Sequence, residues 1–148
     1  MHEIIKDMNP KTVYVAGPLF DEGERWWIEQ IEQKITEIGF NTFLPHRDNP
    51  EKTSETVQTI FENNRDAIRT SDLVVANLNG ITTDDGTAWE LGYAAALQKS
   101  SIGIFTDWRK RFEGEEVVNL MISRSLNTIV QSLDELGAVL RSDYVERK

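Results

Sequence analysis

The sequence predicts an α/β fold in which one parallel sheet of five strands is covered by helices on both faces. Short apolar runs of strand length alternate with longer segments whose apolar residues recur every three or four positions. The chain has 148 residues, which is the usual length of one domain. No internal repeat, low-complexity stretch or linker divides it, so we expect residues 1–148 to form a single domain.

The predicted strands are short, mostly apolar runs bounded by residues typical of turns. They span residues 12–17, 41–44, 73–77, 101–105 and 127–131. The pair Gly17-Pro18 closes the first strand, and Pro45 stops the second.

Five helices are predicted between and after these strands, over residues 22–38, 54–70, 87–98, 117–122 and 133–144. The helical spacing of apolar residues is clearest in the first of these helices, and Gly39 follows that helix as a predicted C-cap. In the second, one face carries Val57, Ile60, Phe61, Asn64 and Ile68. Polar segments at residues 45–53, 80–85 and 106–116 are predicted to be loops.

The alternation of strands and helices restricts the topology, because crossovers between parallel strands are right-handed. The strand order 2-1-3-4-5, which is the flavodoxin-like arrangement, fits a chain of this length. Ligands of such sheets bind beyond the carboxyl ends of the strands. The loops after the first four strands are therefore the candidate site.

Composition and charge exclude several classes of function. Asp and Glu number 25 against 16 Lys and Arg, which gives a net charge of −9 and argues against binding to nucleic acid or an anionic membrane. The absence of cysteine excludes disulfides and a cysteine nucleophile, and two histidines are too few to predict a metal site. There is no apolar run of membrane-spanning length and no signal-peptide pattern, so the expected location is the cytoplasm.

The loop after the first strand lacks a dinucleotide fingerprint. It contains no G-x-G-x-x-G run, and its acidic residues would repel a phosphate at the following helix. Gly17-Pro18 is typical of a tight strand-to-helix turn. Phe20 either packs in the core or stacks on a flat heterocycle.

The loop after the third strand is the most informative, because Asp84, Asp85 and Glu90 place three carboxylates within seven residues. One interpretation is a capping box, in which the Thr87 side chain caps the start of the helix and the Glu90 side chain accepts a hydrogen bond from the backbone N–H of Thr87. The other is catalytic: a glutamate in the first helical turn, held ionised at neutral pH by backbone N–H groups, suits attack at an anomeric carbon. One side chain cannot do both in the same rotamer.

Four segments, at residues 14–20, 71–78, 84–94 and 119–121, resemble the nucleoside 2-deoxyribosyltransferase family. The similarity runs in order over about residues 12–140, and the D-x-G-T-x-x-E-x-G-Y element starting at Asp84 is its most specific part. The resemblance implies a flavodoxin-like domain that moves 2-deoxyribose from one nucleobase to another without a cofactor. Its ligands would be small deoxynucleosides and free nucleobases.

The resemblance also implies roles for individual residues. Glu90 falls on the nucleophile that attacks C1′ and forms a glycosyl-enzyme, so that two inversions give retention. Asp84 falls on a carboxylate that works with the substrate, and Tyr14 on an aromatic residue whose hydroxyl orients the nucleophile. Phe20 matches a residue that packs on the base, and substrate contacts are also expected at Gly17 and Gly86.

Asn119 matches a residue that a neighbouring subunit contributes to the sugar hydroxyl, with Met121 beside it. A shared site implies a homo-oligomer built from dimers, of which a hexamer is one form. Asn64 stands where the family usually has an aspartate, and an amide cannot donate a proton as a carboxylic acid does. We select Asp48 as the base-reading residue of the loop after the second strand.

Two other functions stay open. A hydrolase of the N-glycosidase type would use water in place of the second base and would need cations for a 5′-phosphate. The Arg109-Lys110-Arg111 cluster is either a solvated loop or such a phosphate contact. A non-catalytic nucleoside-binding module on the same fold is the third possibility.

Overall fold

The computed structural model describes residues 10–109 and 118–145. Five strands form one sheet in the order β2-β1-β3-β4-β5, and every neighbouring pair is parallel. The strands are β1 Thr12–Ala16, β2 Asn41–Phe43, β3 Leu73–Asn77, β4 Ser100–Ile104 and β5 Thr128–Val130. The predicted α/β class, flavodoxin-like strand order and parallel pairing are confirmed.

Six α-helices lie in the described ranges: α1 Glu22–Ile38, α2 Pro45–Asp48, α3 Val57–Thr70, α4 Asp85–Ala96, α5 Leu120–Ser123 and α6 Leu133–Leu140. The bounds of α1 are those predicted. Asp21 caps it by accepting a hydrogen bond from Glu24 N at 2.8 Å, and Gly39 ends it in the left-handed conformation with φ of 108°.

Several predicted segments differ from the structure. The loop expected at residues 45–53 begins with helix α2, because Pro45 at its first position needs no N–H partner there. Helix α3 starts at Val57, three residues later than predicted, since Thr56 hydrogen-bonds Thr53 and Glu51 in a preceding turn. The last helix continues past Leu140 as a π-helical turn, Arg141–Val145. Most of the loop predicted at residues 106–116 and the start of the helix predicted at 117–122 lie outside the described residues.

The core has two layers, one on each face of the sheet. Helices α1 and α6 cover one face, where Ile28, Ile31 and Leu136 are buried against the strands. Helices α3 and α4 cover the other face through Ile68 and Leu91. No helix within the described ranges is both long enough and apolar enough to cross a membrane.

Candidate active site

A buried tyrosine and a glutamate form the centre of the candidate site. Tyr14 lies in the middle of β1 with no exposed surface, and its side chain points into the layer covered by α3 and α4. Its ring stacks on Phe43 of β2 at a centroid distance of 5.5 Å. Its hydroxyl donates a hydrogen bond to Oε2 of Glu90 on α4. Two adjacent strands therefore fix the orientation of the Glu90 carboxylate.

The ionisation of Glu90 differs from the sequence-based prediction. Burial raises the pKa of Glu90 from its ordinary value of 4.5 to about 7, the Tyr14 hydrogen bond opposes this rise, and the nearby Asp84 charge adds to it. Helix α4 begins at Asp85, so Glu90 lies in its second turn, where no free backbone N–H groups remain. With a pKa of about 7, Glu90 is only partly ionised at neutral pH, which corrects the prediction that it stays ionised there: burial raises its pKa, and it lies beyond the free N–H groups of the first turn. Burial and the adjacent Glu90 carboxylate likewise raise the pKa of Tyr14.

Asp84 caps helix α4. Its Oδ2 accepts hydrogen bonds from Thr87 N at 2.9 Å and from Thr87 Oγ1 at 3.0 Å. The predicted capping box between Thr87 and Glu90 was therefore wrong, because Thr87 is buried inside the first turn and Asp84 takes the cap position. This arrangement leaves Glu90 free to bind Tyr14.

A cavity of about 460 Å³ opens beside Glu90, between α3 and α4. This volume lies within the range of small-molecule sites, roughly 300–1,000 Å³. Its lining residues are Phe61, Asn64, Arg65, Asp85, Gly86, Trp89 and Glu90. We call it the Glu90 cavity.

Aromatic side chains form one wall of the Glu90 cavity. Phe61 meets Trp89 edge to face at 5.6 Å, and Trp89 stacks on Tyr93 at 5.4 Å. Phe61 and Trp89 are 43% and 48% exposed, so their rings can contact a flat ligand. Sequence reasoning missed Trp89 and treated Phe61 only as part of an apolar helix face. The available signals were the position of Trp89 next to Glu90 and the three-residue spacing that puts Phe61 beside Asn64.

Several predicted residues lie outside the Glu90 cavity. Gly17 packs so closely that a Cβ atom there would lie 2.6 Å from Ile28 Cδ1. Phe20 is 74% exposed in the same loop. Asp48 accepts hydrogen bonds from Leu44 N at 2.8 Å and from Arg47 Nη2 at 2.7 Å, and the Arg47 guanidinium lowers the pKa of this carboxyl.

Asn119 and Met121 line a different cavity, of about 800 Å³, on the other side of α4. Asn119 Oδ1 accepts a hydrogen bond from Met121 N at 2.9 Å, and the Met121 side chain is 74% exposed. Residues Ala88, Leu91 and Gly92 of α4 face this cavity, whereas Gly86, Trp89 and Glu90 face the other. A single chain therefore does not bring Asn119 and Met121 to Glu90.

Of the basic cluster, the structure describes Arg109 only. It pairs with Asp107 at 2.5 Å, and this contact lowers the pKa of Asp107. Asp107 also accepts a hydrogen bond from Gly80 N at 3.1 Å. Lys110 and Arg111 lie outside the described residues. Across residues 10–109 and 118–145, no three His, Asp or Glu side chains are arranged to hold a metal ion.

The fold and the site together define an α/β protein with a tyrosine-bound carboxylate beside a ligand-sized cavity. The model of the family described as nucleoside 2-deoxyribosyltransferase matches residues 13–121 of this chain. The chain belongs to this family.

Solved structures of other proteins share the fold. The 2-deoxyribosyltransferase from the psychrotolerant bacterium Bacillus psychrosaccharolyticus is 26% identical, with a TM-score of 0.75 over 85% of this chain and 90% of that one. The 2-deoxyribosyltransferase from Leishmania mexicana is 24% identical, with a TM-score of 0.72 over 92% of this chain and 100% of that one. A CMP N-glycosidase from Clostridium botulinum is 22% identical, with a TM-score of 0.59 over 88% and 98% of the two chains. The last two similarities concern the fold alone. The family and the Bacillus structure support a deoxyribosyltransferase activity.

Proposed function

We propose that this protein transfers 2-deoxyribose between nucleobases through a covalent glycosyl intermediate on Glu90. The observation that carries the proposal is the Glu90 carboxylate, which Tyr14 orients and which lines a cavity of a volume typical of small-molecule sites. Family membership supports the reaction class.

The proposed chemistry has two displacements. A Glu90 oxygen forms a bond to C1′ of a 2′-deoxynucleoside while the C1′–N bond breaks, and the departing base takes the electron pair. A nitrogen of a second base then attacks C1′ from the opposite side and releases the Glu90 carboxylate. Each step inverts C1′, so the product retains the configuration of the substrate.

The other residues have supporting roles in this proposal. Tyr14 holds the attacking carboxylate in place through its hydrogen bond. This bond lowers the pKa of Glu90 and therefore stabilises the ionised form. Asp84 lies at the start of α4, close enough to raise the Glu90 pKa, and is proposed to hydrogen-bond the substrate. Phe61 and Trp89 provide aromatic surface for the base.

The exposed position of Asn119 and Met121 is compatible with a site shared between copies of the chain. Because they lie across α4 from the Glu90 cavity, we propose that they serve the site of a neighbouring subunit. The assembly would then be a homo-oligomer in which no single chain forms a whole site.

A base-exchange assay tests the function. The protein, given deoxyinosine and free adenine, is expected to produce deoxyadenosine that chromatography detects. The Glu90→Ala variant should lose about 10³-fold or more in kcat/KM, since it removes the nucleophile. Production of free deoxyribose without deoxyadenosine, or near-normal turnover by Glu90→Ala, would contradict the proposal.

A second candidate is hydrolysis of nucleoside 5′-monophosphates, and the observation that favours it is Arg65 in the Glu90 cavity. Its guanidinium could contact a phosphate. However, Arg65 already pairs with Asp66 at 3.1 Å, and Asp85 lies in the same cavity. Comparing a deoxynucleoside with its 5′-monophosphate distinguishes the two functions: the hydrolase requires faster cleavage of the monophosphate without an acceptor base.

A further inference from the structure

A chain of side-chain amides links the segment after β2 to the Glu90 cavity. Asn49 Nδ2 donates hydrogen bonds to the Pro45 carbonyl at 2.9 Å and to Asn64 Oδ1 at 2.7 Å. Asn49 Oδ1 accepts a hydrogen bond from Asn63 Nδ2 at 3.1 Å. The Asn49 side chain is therefore held at both ends, and Asn64 is held through it.

This network fixes which end of the Asn64 amide faces the cavity. A peptide carbonyl can only accept a hydrogen bond, so the Pro45 contact identifies the Asn49 atom beside it as Nδ2. The same Nδ2 then requires an oxygen from Asn64. Asn64 lines the Glu90 cavity, and within the described parts of the chain its side chain is hydrogen-bonded through Oδ1 and not through Nδ2. The N–H groups of Asn64 are thus left to a ligand.

We propose that Asn49 is a positioning residue that makes Asn64 a hydrogen-bond donor to the nucleobase, so that the enzyme favours bases presenting a carbonyl oxygen over bases presenting an amino group. The inference rests on the proposed transfer of deoxyribose. It assigns the site a substrate class: 6-oxopurines over adenine, and 4-oxopyrimidines over cytosine.

The chemistry of the bases supports this assignment. Guanine presents an acceptor, O6, where adenine presents an amino donor, and thymine presents O4 where cytosine presents an amino donor. A free asparagine amide reads the N6 and N7 atoms of adenine with both of its ends. At Asn64 the oxygen already accepts a hydrogen bond from Asn49, so the end of the amide without a partner in the described residues is the N–H donor. An amino group placed against the Asn64 amide would leave two donors facing each other.

The Asn49→Asp variant should invert the preference. An ionised carboxylate only accepts hydrogen bonds, so the Asn64 amide would rotate to donate to residue 49 and would present Oδ1 to the cavity. The Asn63 hydrogen bond to residue 49 survives this change. Asn63→Ala is the matched control, because it removes that neighbouring bond and leaves the Pro45 contact that orients Asn49.

The test is a competition assay with one deoxynucleoside donor and equal amounts of two acceptor bases, either hypoxanthine and adenine or uracil and cytosine. The product ratio gives the ratio of kcat/KM. Wild type and Asn63→Ala should favour the oxo base by about fivefold or more, the discrimination expected of one well-placed hydrogen bond. Asn49→Asp should favour the amino base. Asn49→Ala, which releases Asn64 without adding a charge, should bring the ratio close to one.

A wild-type preference for amino bases would overturn the inference, as would an unchanged ratio in both Asn49 variants or an equal change in Asn63→Ala. Calorimetric titration with the free bases separates this result from failure of the proposed function. If no base exchange occurs, the transferase proposal fails. Tighter binding of hypoxanthine than adenine, reversed in Asn49→Asp, would still support the role of Asn49, and equal binding would overturn it.

Discussion

Replacing the Glu90 carboxylate with a neutral amide should stabilise the folded protein at alkaline pH. The perturbation is Glu90→Gln, which keeps the shape of the side chain and an oxygen that can accept the Tyr14 hydrogen bond. The substitution removes the charge and replaces the other carboxylate oxygen with an NH₂ group. Because burial penalises that charge, removing it should increase the free energy of unfolding while it abolishes base exchange.

The magnitude follows from the pKa. Folding raises the pKa of Glu90 from 4.5 to about 7. The folded state therefore holds the proton more tightly than the unfolded state, and stability falls as the pH rises between these two values. Each tenfold change in proton affinity corresponds to about 1.4 kcal/mol, so the ionised side chain costs up to about 3 kcal/mol above pH 7. At pH 5 the cost is less than about 1 kcal/mol.

Urea denaturation at fixed subunit concentration measures this difference. Glu90→Gln should exceed wild type in free energy of unfolding by about 3 kcal/mol at pH 8.5, and the gain should fall below about 1 kcal/mol at pH 5. Glu37→Gln is the control, because Glu37 is exposed on α1 and its replacement should change stability by less than about 0.5 kcal/mol. A Glu90→Gln variant that is no more stable than wild type at pH 8.5 would refute the reasoning.

Three further predictions concern the same site. In wild type, log kcat/KM should rise with pH and reach a plateau above about pH 7. Tyr14→Phe should shift that rise to higher pH, because it removes the hydrogen bond that lowers the pKa of Glu90. An unshifted profile would exclude this role of Tyr14. Asp84→Ala should lower the free energy of unfolding by about 1 kcal/mol, because the Thr87 N–H loses its hydrogen-bond acceptor. Asp84→Asn should keep this cap and should shift the rise of log kcat/KM to lower pH, because it removes the charge that raises the pKa of Glu90. Equal stability of the two variants would contradict the capping role. Gly17→Ala should destabilise the fold by roughly 1–3 kcal/mol in thermal unfolding, through overpacking at the end of β1; an unchanged melting temperature would contradict it.

Much of the fold was predictable because its signals are local. The apolar strand runs, the helical spacing of α1 and the C-cap at Gly39 depend on residues close in sequence. Helix α2 escaped prediction because four residues cannot show a helical period, and its proline reads equally well as a turn.

The site was predictable in its components and less so in its electrostatics. The sequence showed that Glu90 and Asp84 lie near each other. It did not show which residue caps helix α4, because both Asp84 and Thr87 are residue types that cap helices, and in the structure Asp84 is the cap. The burial of Glu90 depends on Tyr14 and the sheet beneath it, which local pattern does not describe. The contact between Asn49 and Asn64 joins residues fifteen positions apart, so only the tertiary structure, which places the segment after α2 beside α3, could reveal it.

The central claim is that Glu90 becomes covalently bound to the sugar. A 2′-fluorinated deoxynucleoside slows both displacements, because fluorine destabilises the oxocarbenium-like transition state. After incubation without an acceptor base, acid quenching, proteolysis and mass spectrometry should find one fluorodeoxyribosyl group on the peptide containing Glu90, and adding a free base should remove it. Base exchange that proceeds while Glu90 stays unmodified, or a sugar attached to another residue, would contradict the account.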